Sequence, residues 1–154
     1  MSADLATGLA EAIEDLLRED SFFIGPPAVR ILREDDGEFS SAIERAIGEI
    51  KAGGLLVTIA EPRPVTPPNS YEEALEITLT LGEKFTLNRA ESGRQKSLRD
   101  CLNVVTALLH GQWVLEPWGP LQRGETDFAD AEDGGRVCKV TFNTTTLVRR
   151  DVAA

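Results

Sequence analysis

No apolar run in this 154-residue chain approaches the roughly 18 residues that a membrane-crossing helix needs, so a membrane span is not expected. The opening "MSADLATGLAEAIEDLL" puts no basic region ahead of an apolar stretch, so no secretory signal is expected. Basic residues are few, with 16 Lys and Arg against 26 Asp and Glu, for a net charge of −10. A broad surface that grips nucleic-acid phosphates needs clustered Lys and Arg, so the charge argues against that class, though not against a protein that lets DNA pass without holding it. Two cysteines, Cys101 and Cys138, are too few for a disulfide framework and read as buried free thiols of a protein made in the cytosol. No glycine-rich phosphate loop is present, because Gly53-Gly54 precede a strand rather than join a strand to a helix.

What is there is the patterning of one folded domain spanning 1–154. Hydrophobic residues make up 42% and charged residues 27% of the chain, ordinary values for one core. Leu5, Leu9, Ile13, Leu16 and Leu17 predict a helix over 3–19. Val29-Arg30-Ile31-Leu32 reads as a strand, and "REDDGEF" as a turn. Phe39, Ile43, Ile47 and Ile50 predict a second helix over 39–51, ended by Gly53-Gly54. "LLVTIAEP" is a strand. "YEEALEITLTL" alternates strictly, with Leu75, Ile77, Leu79 and Leu81 on one face, and pairs antiparallel with it.

Between them lies a proline-rich loop, 62–70, holding Pro62, Pro64, Pro67 and Pro68; it is expected to be extended and to protrude. Ser92 with Gln95 fits a capping box that starts a helix carrying Leu98, Leu102, Val105 and Leu109, and His110-Gly111 ends it. "QWVLEPW" and "GRVCKVTFNTTTLVRR" read as strands around an acidic loop, "QRGETDFADAEDGG". The order α-β-α-β-β-α-β-β predicts an α+β fold: a mainly antiparallel, mixed sheet with helices packed on it.

A search for chemistry returns no catalytic, cofactor-binding or metal-binding residue. His110, at a helix C-terminus, is expected to bond a free carbonyl there. It cannot serve Cys101: nine residues along one helix place the two about 13 Å apart and about half a turn out of line. His110 with Cys138 stays geometrically open. Asp127, Asp130, Glu132 and Asp133 before Gly134 have the wrong spacing for a calcium loop, since Lys139 stands where a distal glutamate belongs. A hairpin turn at Asp133-Gly134 is the expected structure.

One stretch fits neither regular pattern. In "GEKFTLNRAESGRQKSL", residues 82–98, the trio Leu87, Asn88 and Arg89 sits between the clearest strand and the clearest helix. Asn88 suits a turn, and Arg89 suits a surface pair with Glu91. The other reading is a subunit contact, where Arg and apolar groups are favoured.

The run "EITLTLGEKFTLNRAESGRQKSLRDCLNVVTALLHG", with "EFSSAIERAIGEIKAGGLLVTIAEP" before it and "GRVCKVTFNTTT" after it, resembles the minor tail proteins of long-tailed bacteriophages, the tail-terminator and tail-completion group. The resemblance spans most of residues 39–146 in element order, and its residue motif is short. Glu83-Lys84-Phe85-Thr86 stands where that group often has Glu-Asn-Pro. The resemblance implies a virion protein made in the host cytoplasm, with no enzymatic activity and no cofactor. It implies a homo-hexameric ring at the head-proximal end of the tail, with the tail tube protein and the head–tail connector as partners. DNA would pass through the lumen without being held, and Leu87, Asn88 and Arg89 would lie at the subunit contact. The charge alone suits a second class equally: a small acidic cytosolic binding or inhibitor protein that mimics nucleic acid or blocks a basic partner. A small α+β enzyme is a third.

Overall fold

Leu9, Ile13 and Leu17 recur every four residues, and all three are fully buried along one line of helix α1 (Ser2–Glu19). The computed structural model describes residues 2–24, 29–33, 55–67, 69, 72–84, 97–130 and 135–147. A single turn of helix, α2 (Ser21–Ile24), follows α1 and buries Phe23. The expected helix over 39–51 lies outside the described residues.

Among the described residues, six strands form one sheet: β1 (Arg30–Arg33), β2 (Leu55–Ile59), β3 (Arg63–Val65), β4 (Glu72–Lys84), β5 (Gln122–Asp130) and β6 (Gly135–Leu147). The order is β1-β2-β4-β6-β5, and β3 pairs with β4 beyond the end of β2. β1 and β2 run parallel; the other pairs of these strands are antiparallel. The fold is therefore α+β with a mixed, mainly antiparallel sheet, as the pattern predicts.

β4 and β6 pair along their whole lengths. Their alternation decides which face is covered. Leu75, Ile77, Leu79 and Leu81 lie opposite Thr144, Phe142, Val140 and Cys138, and all eight are buried. From β2, Val57 and Ile59 join the same face. Against it pack α1 and helix α3 (Leu98–Leu109), which buries Leu98, Cys101, Leu102, Val105 and Leu109. Each such side chain contributes about 1.5–3 kcal/mol when fully removed from water, so this layer dominates stability.

Four expectations change. Residues 63–65, expected inside a protruding loop, form β3. Ile59 pairs with Leu79 and Arg63 with Glu76, so four steps along one strand match three along β4, the mark of a bulge. Pro64 is tolerated because β3 is short and peripheral. The expected acidic loop is largely β5. The expected strand "QWVLEPW" is irregular, because its backbone donors close turns: Gln112 N–H bonds Leu109 O, and Trp118 N–H bonds Leu115 O. The third helix is capped by Ser97, not Ser92. Ser97 Oγ accepts from Asp100 N–H at 3.0 Å, and Asp100 Oδ2 accepts from Ser97 N–H at 3.3 Å. The box thus uses aspartate at the third helical position. The C-terminal end falls where expected: His110 caps α3, and Gly111 adopts φ +75°.

Candidate interaction surface

Leu87, Asn88 and Arg89 lie outside the described residues, so their contacts are not part of this geometry. The described residues before and after them, at the end of β4 and the start of α3, are joined by a hydrogen bond. Glu83 Oε2, near the end of β4, accepts the backbone N–H of Leu98, the first residue of α3, at 3.3 Å. A carboxylate at a helix N-terminus satisfies an orphan donor and complements the helix dipole. The start of α3 is thereby tied to the end of β4.

The sheet face opposite the helices is polar, and strand register arranges it in rows. One row runs Thr58, Thr80, Lys139, Asp127 across β2, β4, β6 and β5. A second runs Arg63, Glu76, Asn143, Gln122 across β3, β4, β6 and β5. Arg63 and Glu76 form an ion pair at 2.5 Å. Between the rows Thr78 faces Thr141. Arg63, Glu76, Thr78, Lys139 and Thr141 of these line a trough of about 690 Å³, with Pro62 and Pro64 from one side and Glu125 and Asp127 from the other. The trough thus presents hydroxyls, carboxylates and two cations in fixed strand register.

The other singled-out residues are apart from this face. His110 is exposed, and its Nδ1 accepts the backbone N–H of Arg123 at 3.0 Å. The ring therefore serves a donor on β5, not the helix carbonyls that the sequence pointed to. Cys101, on α3, and Cys138, on the helix-facing side of β6, are buried thiols that form no disulfide. Burial pushes the Cys138 thiol above its ordinary range; Arg123 and Arg136 pull it down, and Asp127 adds to the rise. An exposed His110 committed to Arg123 and a fully buried Cys138 do not form a catalytic pair. Asp127 sits on β5 opposite Lys139, and among the described residues no cluster of metal-ligating side chains occurs.

Sequence reasoning found the β4 half of the polar face, because Glu76, Thr78 and Thr80 alternate with the buried leucines. It missed Glu125 and Asp127, whose strand was read as a loop. The signal was the Thr126–Phe128 alternation, weak because both faces of that strand carry exposed residues.

The sequence matches no protein-family profile and no curated protein. The fold is similar to that of a chain in the solved structure of the virion of a native gene transfer agent particle, with a TM-score of 0.61 and 12% identity. The match covers 92% of this chain and 97% of that one. At that identity the likeness is one of fold.

Proposed function

We propose that this protein is a structural component of a phage-like virion that assembles with other virion proteins. The observation that carries the reading is the nearly end-to-end fold likeness to a chain of a gene transfer agent virion. The resemblance of residues 39–146 to phage tail-terminator and tail-completion proteins supports it independently, because that resemblance rests on the Leu87-Asn88-Arg89 motif and element order in the sequence.

Within that reading the protein forms a homo-hexameric ring at the head-proximal end of the tail, between tail tube and head connector. It acts without catalysis or cofactor. Ring closure needs a heterologous contact, two different patches on each subunit. Leu87, Asn88 and Arg89, which follow β4 and precede α3 in the sequence, belong to one patch; the polar trough is available to the tube or connector. The net charge of −10 suits a lumen that passes DNA without retaining it.

The test is to make particles in cells lacking this protein. Unjoined heads with tails of uncontrolled length are expected in electron micrographs. Normal joined particles would overturn the terminator reading. Absence of the protein from purified wild-type particles by mass spectrometry would overturn the virion role itself. Arg89→Ala then addresses the contact: it should melt normally yet assemble at least about tenfold more weakly, the equivalent of losing an interfacial charged hydrogen bond.

A further inference from the structure

The helix layer has a feature that the core does not use. Trp113 is 71% exposed, the most exposed large apolar side chain among the described residues. Gly111, at φ +75°, turns the chain out of α3, and Gln112 N–H closes that turn on Leu109 O. Trp113 follows at once, beside a groove of about 520 Å³ between α1 and α3. Leu16 and Leu108 are half-buried in its floor, and Val114 borders it. The contrast with other aromatics is instructive. Trp118 is buried, and exposed Phe128 has the Arg136 guanidinium stacked over its ring at 5.1 Å.

The rim carries charge of one sign. Asp15 and Glu19, one turn apart on α1, line the groove, and no lysine or arginine of the described residues does. Neither makes an ion pair among the described residues, whereas Glu14 on the neighbouring line of the helix bonds both Arg18 and Arg33. An apolar floor, a projecting tryptophan and unneutralised carboxylates select the occupant. Tryptophan beside an aliphatic cleft is the usual composition of a protein-binding centre. The carboxylates repel nucleic acid and anionic lipid, and they disfavour a second copy of a chain that itself carries −10.

We propose that this groove docks an amphipathic segment of a partner protein: aliphatic side chains against Leu16, Leu108 and Trp113, with lysines or arginines paired to Asp15 and Glu19. The surface is read from the helix layer alone and stands whether or not the virion role does.

The probe is a synthetic amphipathic helix of leucine and lysine, with a leucine–glutamate counterpart as control. The readout is acrylamide quenching of tryptophan emission, taken as the difference from a Trp113→Phe variant so that buried Trp118 cancels. The lysine peptide should shield Trp113, and the glutamate peptide should not. Asp15→Lys with Glu19→Lys, both exposed positions, should weaken binding about tenfold or more while leaving the circular dichroism unchanged. Glu125→Lys with Asp127→Lys on the sheet changes net charge equally and should leave binding intact. Equal loss in both double variants would mean that only net charge is read, and would overturn the proposal. So would binding without shielding of Trp113, no binding, or shielding that appears in the protein alone as its mass doubles.

Discussion

The backbone N–H of Arg123 donates to Nδ1 of His110 at 3.0 Å, and this bond fastens the start of β5 to the end of α3. Two backbone bonds lie beside it, Gly111 N–H to Leu121 O at 2.6 Å and Leu121 N–H to Gln112 O at 3.0 Å. The imidazole thus extends a small ladder that the backbone begins. Because the site is exposed, water can replace the ring as acceptor. His110→Ala should cost about 0.5–1.5 kcal/mol, the net value of one such hydrogen bond. Urea unfolding measures it; a loss well above about 2 kcal/mol would mean that the ring packs as well as bonds.

Ser97 and Asp100 satisfy each other's backbone at the start of α3. Ser97→Ala should cost about 1 kcal/mol, and Ser97→Thr should recover most of it. Leu98 N–H already has Glu83 as acceptor, so the two anchors share one helical turn. Ser97→Ala and Glu83→Ala should therefore depart from additivity by about 0.5 kcal/mol or more in a double-mutant cycle. Strict additivity would show that strand and helix cap are energetically separate.

The legible parts of the fold were those with a strong contrast between two faces. β4 and β6 are central, one side against helices and one polar, so Leu75 to Leu81 and Cys138 to Phe142 announce themselves by alternation. α1 and α3 do the same at helical spacing. Edge strands carry no such contrast. β5 exposes Arg123, Glu125, Asp127 and Phe128 alike, because an edge is kept soluble and unpaired by charge. β3 was hidden by Pro62 and Pro64, which read as loop residues although a peripheral strand accepts them. The cap moved from Ser92 to Ser97 because both precede an acceptor residue by three, and sequence spacing alone does not choose between Gln95 and Asp100. Of the candidate contact surface, the even positions of β4 were visible, but their partners on β5 required the register.

Gly124 lies where β5 slips against β6: Arg123 pairs with Phe142 and Thr126 with Val140, leaving one extra residue on β5. A Cβ at Gly124 would stand 2.7 Å from Thr141 Oγ1 and 3.0 Å from Asn143 Nδ2. The first contact is too close and the second tight, so the side chains of Thr141 and Asn143 would have to give way. Gly124→Ala should destabilise by about 1–3 kcal/mol. Combining it with Thr141→Ala removes the nearer atom and should recover part of the loss. A neutral Gly124→Ala in thermal melts would mean that the bulge relaxes freely.

Thr144 is buried on β6, and its hydroxyl donates to Gly119 O at 2.9 Å, holding the irregular 112–120 connection onto the sheet. Thr144→Val keeps the shape and leaves that carbonyl without its donor, at a cost of about 1–3 kcal/mol. Thr144→Ser keeps the bond and should cost less. A larger loss in Thr144→Ser than in Thr144→Val would assign the stability to the methyl group instead.

Cys138 gives a dependence on pH whose sign follows from burial. Its side chain is fully buried opposite Leu81, and that burial raises the thiol pKa above its ordinary range despite the nearby guanidinium groups of Arg123 and Arg136. In the unfolded chain the thiol ionises near about 8.5. Between that value and the higher folded value, the native state holds the proton more tightly than the unfolded state does. Stability must then fall as pH rises, and the contribution is complete only below the unfolded pKa. Unfolding free energies of the wild type and Cys138→Ala, measured in urea from neutral to alkaline pH, should converge as pH increases, because alanine has no proton to lose. Parallel curves would place the alkaline loss on other groups. In the same window Ellman's reagent should label neither Cys101 nor Cys138 until the chain unfolds, since both thiols are buried. Rapid labelling of native protein would mean that the helix layer opens far more readily than its packing implies.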